Sequence, residues 1–401
     1  MDFNDTPQEA EFRAAARAFL NKHMKPLKPG EARDMLGERD DPDTIKNAQA
    51  WQATKKDNGW ACLTWPKEYG GRDATPIQSV IWNQEEAKYD VPPNIFGIGI
   101  GMLGPTIMAH GTPEQKSAHL EKMARGDEIW CQLFSEPAAG SDLAGLRTTA
   151  VKQGDHWILN GQKIWTTGAH FSKWGMIVTR TDPTVPKHAG LTYFIVDMKS
   201  PGLTVRPLIN AAMSHEFNEV FFEDVRIPRA NIIGEENRGW YLAQTTLSFE
   251  RSNIGGAVGA RQTVEDLVKF AREHQSDNQS TLGHNRALRH ELIERFVEAG
   301  VATMMSFKIV SIQANEGVAP GHQASVAKLY GTELNQRIYR TGMKVLGLYG
   351  QLDSKTEGPK PPMNGRMKYM YMRSIANTIE GGTSEIQRNI IATRGLGLPR
   401  A

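Results

Sequence analysis

Patterns that read as strand are confined to one stretch of this chain, from Trp130 to about Ile233, and helical patterns occupy both sides of it. Trp157-Ile158-Leu159, Met176-Ile177-Val178-Thr179, Leu191-Thr192-Tyr193-Phe194-Ile195-Val196 and Glu219-Val220-Phe221-Phe222 are short runs rich in β-branched and aromatic residues, punctuated by Gly, Pro, Asn and Asp. Before them, Phe12, Ala15, Ala16, Phe19 and Leu20 recur at helical spacing, and Pro29-Gly30 and Gly70-Gly71 separate the elements. After them the helical pattern resumes at Gly239 and runs to the end, interrupted by the connectors Gln275–Asn285 and Gln351–Gly365. With 401 residues, too many for one ordinary core, the chain divides into three segments. These are a helical domain over 1–128, a β domain over 129–236 and a second helical domain over 237–401, an α+β multidomain fold.

Bulk chemistry excludes several classes. Lys and Arg number 47 against 45 Asp and Glu, a net charge of +2, so neither nucleic acid nor an anionic membrane is expected as main partner. Cys62 and Cys131 form no CxxC pair, which argues against a disulfide framework or thiolate metal site. Met1-Asp2-Phe3-Asn4-Asp5 lacks the basic and apolar regions of a secretory signal. The most apolar run, Ile95 to Ala109, is too short for a membrane span and is broken by glycines. A soluble cytoplasmic protein without stable membrane insertion is expected. No GxGxxG follows a strand, and neither a P-loop nor HExxH occurs, so no metal is expected and any nucleotide is held some other way.

Two stretches carry the chemistry: Leu133-Phe134-Ser135-Glu136-Pro137-Ala138-Ala139-Gly140-Ser141-Asp142 and Asn160-Gly161-Gln162-Lys163-Ile164-Trp165-Thr166-Thr167-Gly168. Small residues allow close backbone approach to a ligand, Ser135, Ser141 and Thr167 offer hydrogen bonds, and Trp165 offers a flat wall. That combination suits a planar redox cofactor. With Phe217 to Val225 and Ile379-Glu380-Gly381-Gly382-Thr383-Ser384-Glu385-Ile386-Gln387-Arg388, these motifs stand in an order that resembles the acyl-CoA dehydrogenase family across nearly the whole chain.

The resemblance implies an N-terminal α-helical domain, a β-barrel-like middle domain and a C-terminal four-helix bundle around FAD and acyl-CoA. It places Phe134 and Ser135 at the flavin ring, Trp165 stacked near it, Thr167 at its N5 region and Ser141 toward cofactor or CoA phosphates. Leu346-Gly347-Leu348-Tyr349-Gly350 and Thr383 to Glu385 are placed at the adenine and pyrophosphate, the glycine loop reaching across a subunit boundary. Backbone amides at a glycine turn and a helix start can hold such anions. Ser384 with Gln387 also reads as a capping box. The chain departs from the family where many members carry Arg-x-x-Phe-Gly. Here the region is the polar stretch Gln275 to Asn285, and Arg286 and Arg289 are the nearby arginines.

The chemistry requires a carboxylate that removes a proton α to a thioester while hydride leaves the β carbon, in a site dry enough to make that carboxylate a competent base. Glu250 lies on the helix that begins near Gly239, beside a face formed by Leu247, Arg251, Ile254 and Val258. It matches the base of the family's long-chain and branched-chain members, and Arg251 matches an arginine on the CoA side. Glu380 is the rival, since medium- and short-chain members carry their base just before Gly-Thr-Ser. Alignment on that triplet puts Gly381, not Glu380, at the base position, so Glu250 is the favoured base. The backbone at Glu380 or Gly381 would then help hold the thioester oxygen.

The resemblance further implies electron-transfer flavoprotein as electron acceptor and a dimer of dimers, homotetrameric or heteromeric with a paralogue. An acyl-CoA oxidase and a flavin-binding but non-catalytic subunit are the alternatives. A base at the Glu250 position points to long, branched or ring-bearing acyl groups.

Overall fold

The computed structural model describes residues 5–27, 41–251, 255–273, 285–316, 321–352 and 358–399, and for 250–251, 255–258, 310 and 313–316 the backbone alone. Proposed breaks at Pro29-Gly30 and most of the connector Gln275–Asn285 lie outside the described residues. Helix α1 spans Pro7–His23, α2 Pro42–Asp57, α3 Pro76–Glu86, α4 Gly104–His110 and α5 Pro113–Arg125. Three of them start with one device. Thr6, Thr75 and Thr112 each cap a helix whose first residue is Pro, and Glu9, Gln78 and Gln115 return a side-chain bond to the cap N–H. Proline fits there because its missing N–H would have had no helical partner.

By proximity the chain forms two compact units. One draws on Gly37–Ala74 and Pro92–Glu250, the other on Met1–Leu36, Thr75–Val91 and Arg251–Ala401. The units therefore cut across the three segments defined by pattern. In the first, the strands are β1 (Trp130–Leu133), β2 (Thr149–Gln153), β3 (His156–Lys163), β4 (Trp174–Arg180), β5 (Leu191–Asp197), β6 (Leu203–Ile209), β7 (His215–Pro228) and β8 (Ile232–Ile233). They form one sheet in the order β6-β7-β3-β2-β4-β5-β8, with β1 parallel to β4.

Side chains alternate between the faces of β4 and β5, and both faces are covered. Met176, Val178, Tyr193 and Ile195 pack on one side with Leu120, Met123 and Leu103, whereas Ile177, Phe194 and Val196 pack on the other with Trp157, Leu159 and Phe222. Helix α6 (Gly239–Arg251) adds Leu242 and Ala243 to the first of these cores.

In the second unit, α7 (Gly255–Glu273), α8 (Arg286–Glu316), α9 (His322–Leu346) and α10 (Arg366–Asn377) form a helical bundle around Val264, Leu267, Leu292, Leu334, Ile338 and Met367. Arg366 donates to Asp266 Oδ2 at 2.7 Å, tying α10 to α7. A short α11 (Ser384–Ile390) follows. Helix α1 buries Phe12, Ala16, Phe19 and Leu20 as its spacing predicts, but Ala15 is exposed. No described helix is long and apolar enough to cross a membrane.

Candidate active site

The first signature begins where β1 ends. Phe134 is buried, its ring edge-on to Tyr193 at 5.7 Å and committed to the core. Beyond it Glu136 and Ala139 exchange backbone bonds of 3.0 Å, closing a tight turn. The Glu136 carboxylate points inward and accepts the N–H groups of Arg147 (2.6 Å) and Thr148 (2.9 Å). It also accepts from Lys163 Nζ at 2.9 Å, and Nζ donates in addition to the Phe134 carbonyl at 3.0 Å.

Lys163 is fully buried. Burial pushes its ammonium down to about 8, an effect that the charge of Glu136 only partly offsets. Burial raises Glu136, but Lys163 and the surrounding donors more than compensate and hold it below the usual carboxylate range. One further bond, Ile164 N–H to the Ser135 carbonyl at 2.9 Å, completes the seam between the two signatures. The structure thus brings together Phe134, Ser135, Trp165 and Thr167.

Trp165 is 54% exposed, a large aromatic left open, with φ at +61°. That left-handed conformation costs a non-glycine residue roughly 1–2 kcal/mol and persists only where neighbours enforce it. Its ring stands edge-on to Phe217 at 5.6 Å. The Thr166 N–H reaches the Asn218 carbonyl at 3.0 Å, and the Gly168 N–H reaches that of Glu216 at 3.1 Å. Thr167 is half-buried and Ser141 is exposed. Next to Ser141, Asp142 is bound by Lys187 Nζ at 2.8 Å.

In the helical unit, Gly347 ends α9 with φ +57° and ψ −139°, a region reserved for glycine. Leu348 and Tyr349 after it are exposed, and Gly350 is buried. The other glycine turn, Gly381 (φ +64°) and Gly382 (φ +88°), is anchored by Lys328 Nζ, which donates to the Gly382 carbonyl at 2.7 Å. Lys328 and Leu346 are 18 residues apart on α9, about 27 Å of helix. The two glycine segments of one chain thus stand at opposite ends of that helix.

The capping box expected at Ser384 and Gln387 is not formed. The double glycine turn delivers Thr383 to the cap position, where its hydroxyl accepts the Ile386 N–H at 3.2 Å. Gln387 Nε2 instead turns back onto the Gly381 carbonyl at 3.0 Å. Glu385 is exposed on the first turn of α11. Glu380 is also exposed. It accepts from both terminal nitrogens of the Arg373 guanidinium (3.2 and 3.1 Å) and from Asn377 Nδ2 (3.0 Å).

The Glu250 and Arg251 side chains lie outside the described residues, as do residues 252–254, which separate α6 from α7. The backbone places Glu250 one turn beyond Thr246, whose hydroxyl meets those of Thr106 (2.8 Å) and Tyr193 (3.2 Å). Arg286 and Arg289 are exposed on the first turn of α8. Glu136, Lys163 and Asn218 lie within the motifs that sequence reading singled out, yet it gave them no role. The one available signal was period-two alternation, which puts Lys163 on the inward side of β3 with Trp157 and Leu159.

Three family models match the chain in order: the acyl-CoA dehydrogenase N-terminal domain over 6–127, the middle domain over 131–225 and the C-terminal domain over 237–396. The chain is 35% identical over 395 residues to acyl-CoA dehydrogenase IpdE1 of Mycobacterium tuberculosis, covering 97% of this chain and 98% of that protein. It is 32% identical to acyl-CoA dehydrogenase FadE26 of the same organism, both covered in full. The ChsE4-ChsE5 complex from Mycobacterium tuberculosis superposes with a TM-score of 0.82 at 32% identity, and the Tcur3481-Tcur3483 steroid ACAD with 0.83 at 29%, each covering 100% of both chains. Matched along nearly its whole length by all three domain models, the chain belongs to the acyl-CoA dehydrogenase family of oxidoreductases.

Proposed function

We propose that the chain is an FAD-dependent acyl-CoA dehydrogenase that converts an acyl-CoA thioester to its trans-2-enoyl-CoA. One observation carries this reading: an exposed indole held in a left-handed conformation next to Thr167 and tied, through Ile164 and Lys163, to the Phe134–Ser135 backbone. A flat ring with polar edges fits such a wall. Thr166 Oγ1, buried without a hydrogen-bond partner among the described residues, is a further polar group in the same turn. FAD, when bound, supplies the acceptor for the hydride that leaves the substrate β carbon.

The remaining work falls to the protein. Phe134, Ser135, Trp165 and Thr167 would hold the ring system, and Ser141 the phosphates. Glu250 would remove the α proton, and Arg251 would face the CoA moiety. Backbone at Gly381 would polarise the thioester carbonyl, which acidifies that proton. Glu380 is poorly placed to act as a base, because it is exposed and its oxygens are taken up by hydrogen bonds from Arg373 and Asn377.

Gly347, Gly350, Thr383 and Glu385 would complete the nucleotide site. The roughly 27 Å of helix between the two glycine segments supports a site assembled from two copies, the Gly347–Gly350 loop of one serving the Thr383 turn of the other. The shared site needs at least a pair of chains, and we read the assembly as a dimer of dimers, with itself or with a paralogue, as the similar ChsE4-ChsE5 complex combines two different proteins. In this reading 1–128, 129–236 and 237–401 are the functional domains, and electron-transfer flavoprotein reoxidises the enzyme. A steroid ACAD among the similar structures favours a ring-bearing acyl group. The test is product analysis: incubation with a ring-bearing CoA thioester and an electron acceptor should give a product lighter by two hydrogens. Unchanged thioester across straight, branched and ring-bearing panels would refute the assignment.

A further inference from the structure

Between the Lys163–Val220 pair of the β3–β7 ladder and the bond from Thr166 N–H to the Asn218 carbonyl, the chain advances three residues on the β3 side and two on β7. The extra residue makes a bulge, and Trp165 sits in it with positive φ. In a regular antiparallel pair the Thr166 carbonyl would receive a backbone N–H from across the ladder. Here it receives the side-chain Nδ2 of Asn218, at 3.0 Å. A side-chain amide stands in for a ladder N–H.

That bond fixes the amide orientation. With Nδ2 on the Thr166 carbonyl, its other hydrogen points to His170 Nδ1 at 2.9 Å, while Oδ1 accepts from His215 Nε2 at 3.0 Å. The two imidazoles stack with centroids 4.0 Å apart, and Asn218 itself is fully buried. Three consecutive β7 residues therefore hold the turn: the Glu216 carbonyl takes Gly168, the Phe217 ring flanks Trp165, and Asn218 grips both backbone polar atoms of Thr166.

We propose that Asn218 is a positioning residue for oxidation of the thioester: by clamping Thr166 it fixes the left-handed conformation of Trp165, and with it the aim of the indole and the Thr167 hydroxyl. The proposal rests on the reading of Trp165 and Thr167 as flavin-facing. The same strand pair supplies a control. Its other irregularity, between Leu159 and Gly161, is bridged by Asn160, whose Nδ2 donates to Asp224 Oδ1 and whose Oδ1 accepts the Asp224 N–H, both at 2.9 Å. That clamp is of similar kind but lies outside the proposed flavin-facing turn.

The experiment measures FAD dissociation and the rate at which a CoA thioester bleaches the flavin, in the full-length wild type and in Asn218→Ala, Asn218→Asp and Asn160→Ala. Asn218→Asp keeps the size and one acceptor but removes both donors, so it tests the clamp even where Asn218→Ala folds poorly. Misplacement of a reacting group by about 1 Å costs on the order of 100-fold, so both Asn218 variants should bleach at least about tenfold more slowly and bind FAD more weakly. Asn160→Ala should match the wild type in both readouts. Asn218 variants that lose melting temperature but keep wild-type FAD affinity and bleaching would overturn the positioning role. A wild-type chain that takes up no FAD would instead sink the functional reading beneath it.

Discussion

Lys163 and Glu136 form a buried ion pair, Nζ to Oε1 at 2.9 Å, that joins the strand leading to Trp165 to the turn that follows Phe134. Its partners leave little unsatisfied: Glu136 also accepts two backbone N–H groups, and Lys163 also donates to the Phe134 carbonyl. Removing one member of such a pair leaves a buried charge without its counterion. Lys163→Met should therefore cost about 3–5 kcal/mol, whereas Lys163→Met with Glu136→Leu should cost clearly less than the two single changes together. Urea unfolding of the three variants measures this. Strict additivity would show that the pair is not coupled.

The two candidate bases separate cleanly. Glu250→Gln should retain FAD and slow substrate-driven flavin reduction by a factor on the order of 100 to 10,000, the usual worth of a general base. Glu380→Gln should stay close to wild type, because it alters only the surface contacts of an exposed carboxylate with Arg373 and Asn377, the ion pair being worth less than about 1 kcal/mol. Stopped-flow reduction decides, and the reverse order of effects would move the base to Glu380.

Alongside the buried Glu85, acid sensitivity should draw on Glu128, which is only 3% exposed. Burial would raise its pKa, but hydrogen bonds from His119 (3.2 Å) and Lys173 (3.0 Å) outweigh it and hold the carboxyl at about 2, below the ordinary 4.5. A depressed carboxylate contributes stability that is present above 4.5 and is lost as pH falls toward 2. The loss here is at most about 3 kcal/mol. Glu128→Gln should flatten the fall of the urea midpoint across that window, and an unchanged slope would exclude Glu128 as its source.

Glycine substitutions should divide by conformation. At Gly382, φ is +88° and an added Cβ would meet Gln387 Nε2 at 2.6 Å, so Gly382→Ala should cost about 2 kcal/mol from strain and a displaced hydrogen bond. Gly300 lies inside α8 with none of the described residues within 4 Å of such a Cβ, so Gly300→Ala should stabilise by about 0.5–1 kcal/mol. Thermal melts of both variants check the signs.

The strands were legible because Met176–Val178 and Leu191–Val196 are apolar runs that only a doubly covered sheet can bury. The joining of Phe134–Ser135 to Trp165–Thr167 was legible as paired motifs. Which helices keep company was not. Helix α3 groups with α1 and the bundle while α2, α4 and α5 group with the sheet, since neighbours far apart in sequence leave no local trace. Thr383 and Ser384 are adjacent hydroxyls, and only the left-handed Gly381–Gly382 turn selects Thr383 as the cap. Asn218 was invisible as a clamp because its role depends on a one-residue bulge that no periodicity announces.

The most direct test is an anaerobic titration of the FAD-loaded protein with CoA thioesters, followed in the visible spectrum. The account predicts an oxidised-flavin band bleached by at least one thioester, most readily a ring-bearing one, and not bleached in Glu250→Gln. A protein that takes up no flavin, or whose flavin is bleached equally well after that substitution, would contradict it.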